Sequence, residues 1–270
     1  MKLWYQSVSR DGENSLYTRI LSDLFAQVKD PDTEIVLHKM PTGGGGGQYR
    51  YLRHLETTEI LNNVMRAQCE GYDAVLLGNI NDPGLDAARE LASIPILGLC
   101  ECSLHMACLM GASFSLITVN EKYKQGLAEN VLRAGLKDRL AAIDCMPFER
   151  TGDMLRAYED EKVRTQVVAA FNQAARRGIV AGAEVVIAAG GGIMAILAQA
   201  GIHATDDGVP ILNGVTALVK MGEMAVKMNR LTGGHFTSRR LSYAQPPADQ
   251  LAELRRRYGD NIYPELPKLP

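Results

Sequence analysis

Short aliphatic or β-branched runs alternate with longer amphipathic stretches along the whole chain, and this alternation leaves few folds open. The candidate strands are Leu3 to Ser7, Glu34 to Leu37, Ala74 to Leu77, Ile94 to Leu99, Ser115 to Thr118, Ala141 to Asp144, Glu184 to Ala188 and Val209 to Leu212. Helices are expected between them: Ser15 to Val28, Glu56 to Glu70, Pro83 to Ser93, Ser103 to Met110, Tyr123 to Ala134, Lys162 to Gly178, Ile193 to Ala200 and Gly214 to Asn229. Strand and helix in alternation mean parallel strands joined by helical crossovers, an α/β fold. On the last helix Val215, Leu218, Val219, Met221 and Met224 fall near helical spacing, which reads as a core-facing stripe. A chain of 270 residues that is 46% hydrophobic can bury one large core or two small ones.

The net charge of −2 excludes a nucleic-acid surface, because phosphate binding needs a local excess of Lys and Arg. Arg255-Arg256-Arg257 lies between Glu253 and Asp260 and reads as a solvated helix face. No segment reaches the roughly 18 apolar residues of a membrane helix, and polar Ser7 and Arg10 interrupt the N-terminus before a signal-peptide core forms. A soluble, cytoplasmic protein is expected. Five cysteines, an odd number, suit reduced thiols. Cys100 and Cys102 have no second closely spaced pair and no His cluster to complete a zinc site, so no metal is expected. Neither GxGxxG nor a P-loop occurs, which leaves a nucleotide cofactor without a motif, and no cofactor is expected.

One low-complexity element stands out: five consecutive glycines, Gly43 to Gly47, between Pro41-Thr42 and Gln48-Tyr49. Their ordering entropy predicts a mobile loop after the second strand, at the strand end where open α/β sheets bind ligands. A substrate-gating lid and an inert insertion are both compatible with it.

The stretch from Gly78 to Glu90 (Gly-Asn-Ile-Asn-Asp-Pro-Gly-Leu-Asp-Ala-Ala-Arg-Glu) closely resembles the first active-site segment of the hydantoin racemases, within the aspartate/glutamate racemase superfamily. Further blocks follow in the family's order. Ile94 to Cys102 resembles its Pro-Val-Ile-Gly-Ile-Gly-Glu-Ala segment, with Glu101 on the glutamate, and Phe114 to Thr118 resembles its Phe-Ser-Val-Ile-Thr strand. Gly208 to Val215 looks like Gly-Val-Pro-Val-Ile-Asp-Gly-Val with Asn213 in place of the acid, and Thr237-Ser238-Arg239 with Tyr243 is similar to the C-terminal tail. The resemblance implies two pseudo-symmetric α/β lobes, each a short, mainly parallel sheet flanked by helices, with a ligand cleft between them. It also implies a first lobe of residues 1–100 plus 205–270, a second of 101–204, a small-molecule substrate and a homo-oligomer.

Two departures from the family bear on chemistry. The family's first catalytic cysteine falls on Asn79, and its second, in a Gly-Cys-Ala-Gly-Met turn, falls on Gly190 of Ala189 to Ile193. Racemisation needs a base on one face of an acidic carbon and a proton donor on the other, and neither residue can serve. The family's Asn-Pro-Asn after the first strand is replaced by Gln6-Ser7-Val8-Ser9, so the ligand-holding loop around Ser7 differs. Donors still gather at the strand ends. The backbone amides of Asn79, Ile80 and Asn81 and of Gly190, Gly191 and Gly192, with Thr118, are candidates for holding a carboxylate, imide or oxyanion. Glu101, His105 one helical turn further on, and Cys102 are the candidate catalytic groups, and His235 belongs to a tail able to reach the cleft. Asp82 before Pro83 reads as a helix cap, and the Lys220 stem either lines the crevice or is solvated.

Three functions fit these residues. The first is an enzyme with altered, cysteine-independent chemistry, a hydrolase, lyase or isomerase acting on a small cyclic ureide, amide or carboxylate. The second is a catalytically silent protein that binds a small anion or imide. The third is a racemase whose thiols have moved, for example to Cys102.

Overall fold

A computed structural model describes residues 1–10 and 16–264. The chain runs β1 (Lys2–Arg10), α1 (Leu16–Val28), β2 (Glu34–Met40), α2 (Arg50–Cys69), β3 (Ala74–Leu77), α3 (Leu85–Leu91), β4 (Ile96–Gly98) and α4 (Leu99–Met110). It continues through β5 (Phe114–Thr118), α5 (Glu121–Arg133), β6 (Leu140–Cys145), α6 (Thr151–Leu155), α7 (Glu161–Val180), β7 (Val185–Ala188), α8 (Gly191–Gln199), β8 (Ile211–Leu212), α9 (Gly214–Leu231) and α10 (Ala248–Tyr258).

Two four-stranded sheets form, in the orders β2-β1-β3-β4 and β6-β5-β7-β8, and the pairings between their strands are parallel. In β1, Leu3 and Tyr5 face one core while Trp4 faces another. Ala74 and Leu76 of β3 divide from Val75 and Leu77 in the same way. Both faces of these strands are buried, which is why they read as unbroken apolar runs. The first of these cores is continuous with that of the second sheet, whose Leu116, Ile187 and Phe171 belong to the same cluster.

The structure moves one expected boundary. Val209 to Leu212 were expected to return to the first lobe at 205, but Ile211 and Leu212 pair with Val186 and Ile187 and complete the second sheet. Only from Gly214 does the chain cross back, where α9 packs on α4, α1 and β3. Its start is capped by Asn213, whose Oδ1 accepts from the amides of Val215 and Thr216. The strand expected to run to Leu99 also ends early, since α4 already begins there.

That early start has a cause in Asp82. Its buried carboxylate accepts the amides of Cys100 at 2.9 Å and Glu101 at 2.8 Å, so it caps α4 rather than the helix next to it in sequence. Asp82 itself has a φ of 47°, and Gly98 lies so close that a Cβ there would sit 2.5 Å from its carboxyl carbon. Burial pushes this carboxyl up to about 7, against the opposing pull of the two amides.

Candidate functional site

A cavity of about 400 Å³ is enclosed by segments at the C-terminal ends of strands from both sheets. The first sheet supplies Ser7 to Ser9 at the end of β1, Gly43 to Gly45 and Gly47 after β2, and Gly78 to Ile80 after β3. The second supplies Thr118 and Val119 at the end of β5, Tyr123 of α5, Gly152, Met154 and Leu155 of α6, and Ala189 to Ile193 leading into α8. Tyr17 enters from α1.

The glycine loop, expected to be mobile, is hydrogen-bonded to its surroundings in the structure. Gly43, Gly44 and Gly45 have φ of 119°, 89° and 73°, a left-handed path that favours glycine. Asn81 Nδ2 donates to the Gly47 carbonyl at 3.2 Å, and Arg53 Nη1 donates to Asn81 Oδ1 at 3.1 Å. Beyond the loop, Asn120 Nδ2 at the start of α5 donates to Gln48 Oε1 at 2.9 Å, and Arg50 pairs with Glu129 at 2.6 Å. The loop thus joins the two sheets over the cavity. Beneath it, Glu56 is buried, and its carboxyl is held above the usual range by that burial although the Gly44 amide donates to it.

Asn79 is oriented by its neighbour. Its Oδ1 accepts from the Asn81 backbone amide at 2.9 Å and from Asn81 Nδ2 at 3.2 Å, which leaves the Asn79 NH₂ as the available donor. At the opposite wall, Gly190 has an extended φ of 162°, and a Cβ there would meet nothing nearer than Ile193 Cδ1 at 3.7 Å. No side chain caps α8, so its first-turn amides keep their donor capacity. Thr118 is fully buried, and its Oγ1 has no hydrogen-bond partner among the described residues. Ser7 and Ser9 share a hydroxyl contact of 2.8 Å. The Tyr17 phenol is pushed far above its ordinary value by burial and remains protonated.

Ser7, Asn79, Ile80, Thr118, Gly190, Gly191 and Gly192 are therefore gathered around one space, with Asn81 bracing it from behind. The expected catalytic groups are elsewhere. Glu101 forms a two-pronged pair with Arg89, Nη1 to Oε1 at 3.1 Å and Nη2 to Oε2, and Arg89 is further anchored on the Ile96 carbonyl. This guanidinium and the Asp82 cap hold Glu101 at α4 and outside the cavity lining. His105 is exposed on α4. Cys100 and Cys102 are buried in the core, and burial holds both thiols well above their ordinary range, in the unreactive form. His235 is exposed, its Nδ1 against the carbonyls of Thr232 and Gly233 at 3.0 Å. Lys220 pairs with Asp30 and Glu223.

No sequence pattern marks Tyr17, Tyr123 or the α6 residues as lining the cavity. Tyr17 looks like one more apolar position of an amphipathic helix, and the only hint was a glycine run opposite, with room for a large side chain. Among the described residues that line the cavity there is no Cys, His, Asp, Glu, Lys or Arg. Its polar content is hydroxyls, one side-chain amide and backbone. Such a surface can donate hydrogen bonds and polarise carbonyls.

Comparison with known proteins gives a consistent picture. Residues 14–222 match the sequence model of the family described as Asp/Glu/Hydantoin racemase. A hydantoin racemase of Paenarthrobacter aurescens is 27% identical over 245 residues, covering 90% of this chain and 98% of its own. The fold is shared with an allantoin racemase of Pseudomonas fluorescens, with a TM-score of 0.74, 24% identity and coverage of 91% and 97% of the two chains. An allantoin racemase from Klebsiella pneumoniae superposes with a TM-score of 0.68 at 23% identity, covering 91% and 94%.

Proposed function

The chain belongs to the Asp/Glu/hydantoin racemase family, and on that premise we propose that it binds a small, uncharged cyclic ureide, amide or imide between its two sheets without racemising it. The carrying observation is the cavity lining, which among the described residues lacks any thiol, carboxylate, imidazole or amine. Inverting a carbon requires proton removal on one face and delivery on the other. At the two family positions stand Asn79, which has no basic form, and Gly190, which has no side chain. What the described lining offers is neutral hydrogen-bonding capacity, which suits a neutral ring of alternating N–H and C=O groups, and among the described lining residues no cation faces a carboxylate. Titration calorimetry with hydantoin, allantoin and succinimide, with malonate as the charged control, tests this. Saturable heat for at least one neutral ring and weaker binding of malonate is the expected result; no heat from any neutral ring would overturn the proposal.

A second reading is an enzyme with altered chemistry, and one observation favours it. Tyr17 lines the cavity, as do the first residues of α8, and donors so placed can polarise a carbonyl toward attack by water. Ring opening of hydantoin, followed by ¹³C NMR, separates this reading from silent binding. A homo-oligomer forms part of the proposal, and light scattering of the purified chain tests it.

A further inference from the structure

A Cβ placed on Gly191 would lie 2.4 Å from the Tyr17 hydroxyl oxygen, inside contact distance. The phenol of a helix that packs beneath the first sheet therefore occupies the space that any side chain at the start of α8 would take. Another tyrosine packs against it. The Tyr158 ring is stacked on it at a centroid distance of 6.4 Å and an interplanar angle of 20°, and Tyr158 Oη donates to the Gly192 carbonyl at 3.2 Å. Tyr5, fully buried, lies close enough to interact electrostatically with it. The Tyr17 side chain is half-buried and lines the cavity, and its hydroxyl makes no hydrogen bond to a described residue. A phenol that lines a cavity presents its O–H donor to whatever occupies that space. The same wall carries a second unpartnered donor, the fully buried Thr118 Oγ1.

We infer that Tyr17, admitted by the glycine at 191, is a ligand-binding residue that donates a hydrogen bond to a carbonyl oxygen of the bound ring at the wall where Gly190 provides no side chain. This rests on the reading of the cavity as a site for neutral cyclic ureides and imides. Because the phenol stays protonated, Tyr17 acts as a donor and not as a base. The donor selects ligands with a carbonyl directed toward α8 over rings with a methylene at that point.

The test is calorimetric titration of hydantoin into the wild type, Tyr17→Phe, Gly191→Ala and the double variant. Tyr17→Phe keeps the ring and its stacking on Tyr158, and it is expected to weaken hydantoin about 10-fold, the effect of removing one neutral hydrogen bond and leaving its acceptor unpaired. Gly191→Ala, which forces the phenol aside, is expected to weaken binding to a similar extent. The double variant should lose no more than the larger single loss, because both changes remove the same contact. A readout insensitive to general damage accompanies these: in protein labelled with ¹³Cζ-tyrosine, the resonance absent from Tyr17→Phe should shift on adding hydantoin to the wild type. Wild-type binding with unchanged affinity in Tyr17→Phe, or with that resonance unmoved, overturns the role of Tyr17 alone. No binding of hydantoin, allantoin or succinimide by the wild type overturns the cavity reading and this inference together.

Discussion

Asp82→Asn should flatten the pH dependence of stability between pH 5 and pH 8. In the folded chain the Asp82 carboxyl is pushed up from 3.8 to about 7, chiefly by burial, and the amides of Cys100 and Glu101 counter only part of that. The folded state therefore holds a proton that the unfolded chain has released throughout this window. Stability contributed by the protonated form is present at pH 5 and is lost as pH rises through 7. With those two values, linkage gives a loss on the order of 2 to 3 kcal/mol from pH 5 to pH 8. Other shifted carboxyls do not obscure it. Asp144 and Glu129 are lowered by Arg177 and Arg50, so their contributions lie mainly below pH 5. Glu56, raised by burial, acts with the same sign but is common to both proteins. Asparagine keeps one acceptor for α4 and carries no proton to lose. Urea unfolding of both proteins at pH 5, 6, 7 and 8 reads the effect as a difference that grows in favour of Asp82→Asn with rising pH. Parallel curves, or a wild type that gains stability relative to the variant as pH rises, would refute the reasoning.

Other outcomes follow from the same geometry. Glu101→Gln should lower stability by about 1 to 2 kcal/mol through the Arg89 pair while hydantoin affinity stays within twofold, as calorimetry and urea unfolding will read. Gly190→Cys should be tolerated within about 1 kcal/mol, since its backbone is extended and its Cβ would be uncrowded. Combined with Asn79→Cys, it should confer deuterium exchange at the stereogenic carbon of a 5-substituted hydantoin, followed by ¹H NMR. By contrast, Gly78→Ala should cost several kcal/mol, because its Cβ would lie 2.3 Å from the Tyr5 ring, and a drop in urea midpoint measures this. Asn81→Ala, which removes the side-chain bonds to the Gly47 carbonyl and to Asn79 Oδ1, should weaken hydantoin about 5-fold by calorimetry.

Much of the fold was legible because parallel strands are buried on both faces and so appear as apolar runs that need no partner to be recognised. The lobe to which Ile211 and Leu212 belong was not, since a two-residue strand takes its place from pairing with Val186 and Ile187 and not from its own composition. Glu101 looked catalytic at the end of a strand. Arg89, twelve positions earlier, and the Asp82 cap decide otherwise, and both act through space. Tyr17 was hidden for the opposite reason: an aromatic residue on an amphipathic helix looks like core until the glycine that makes room for it is seen opposite. The turns around Asn79 and Gly190 stood out through their resemblance to the two active-site segments of the hydantoin racemases, and both line the cavity.

The most direct measurement is a single NMR experiment on the wild type saturated with enantiopure 5-benzylhydantoin in D₂O, recording bound-state line broadening and loss of the C5 proton together. Binding with a C5 exchange rate equal to that of a protein-free control is the result the proposal of binding without racemisation expects. Exchange at C5 faster than the control, with the optical rotation decaying in step, would contradict it.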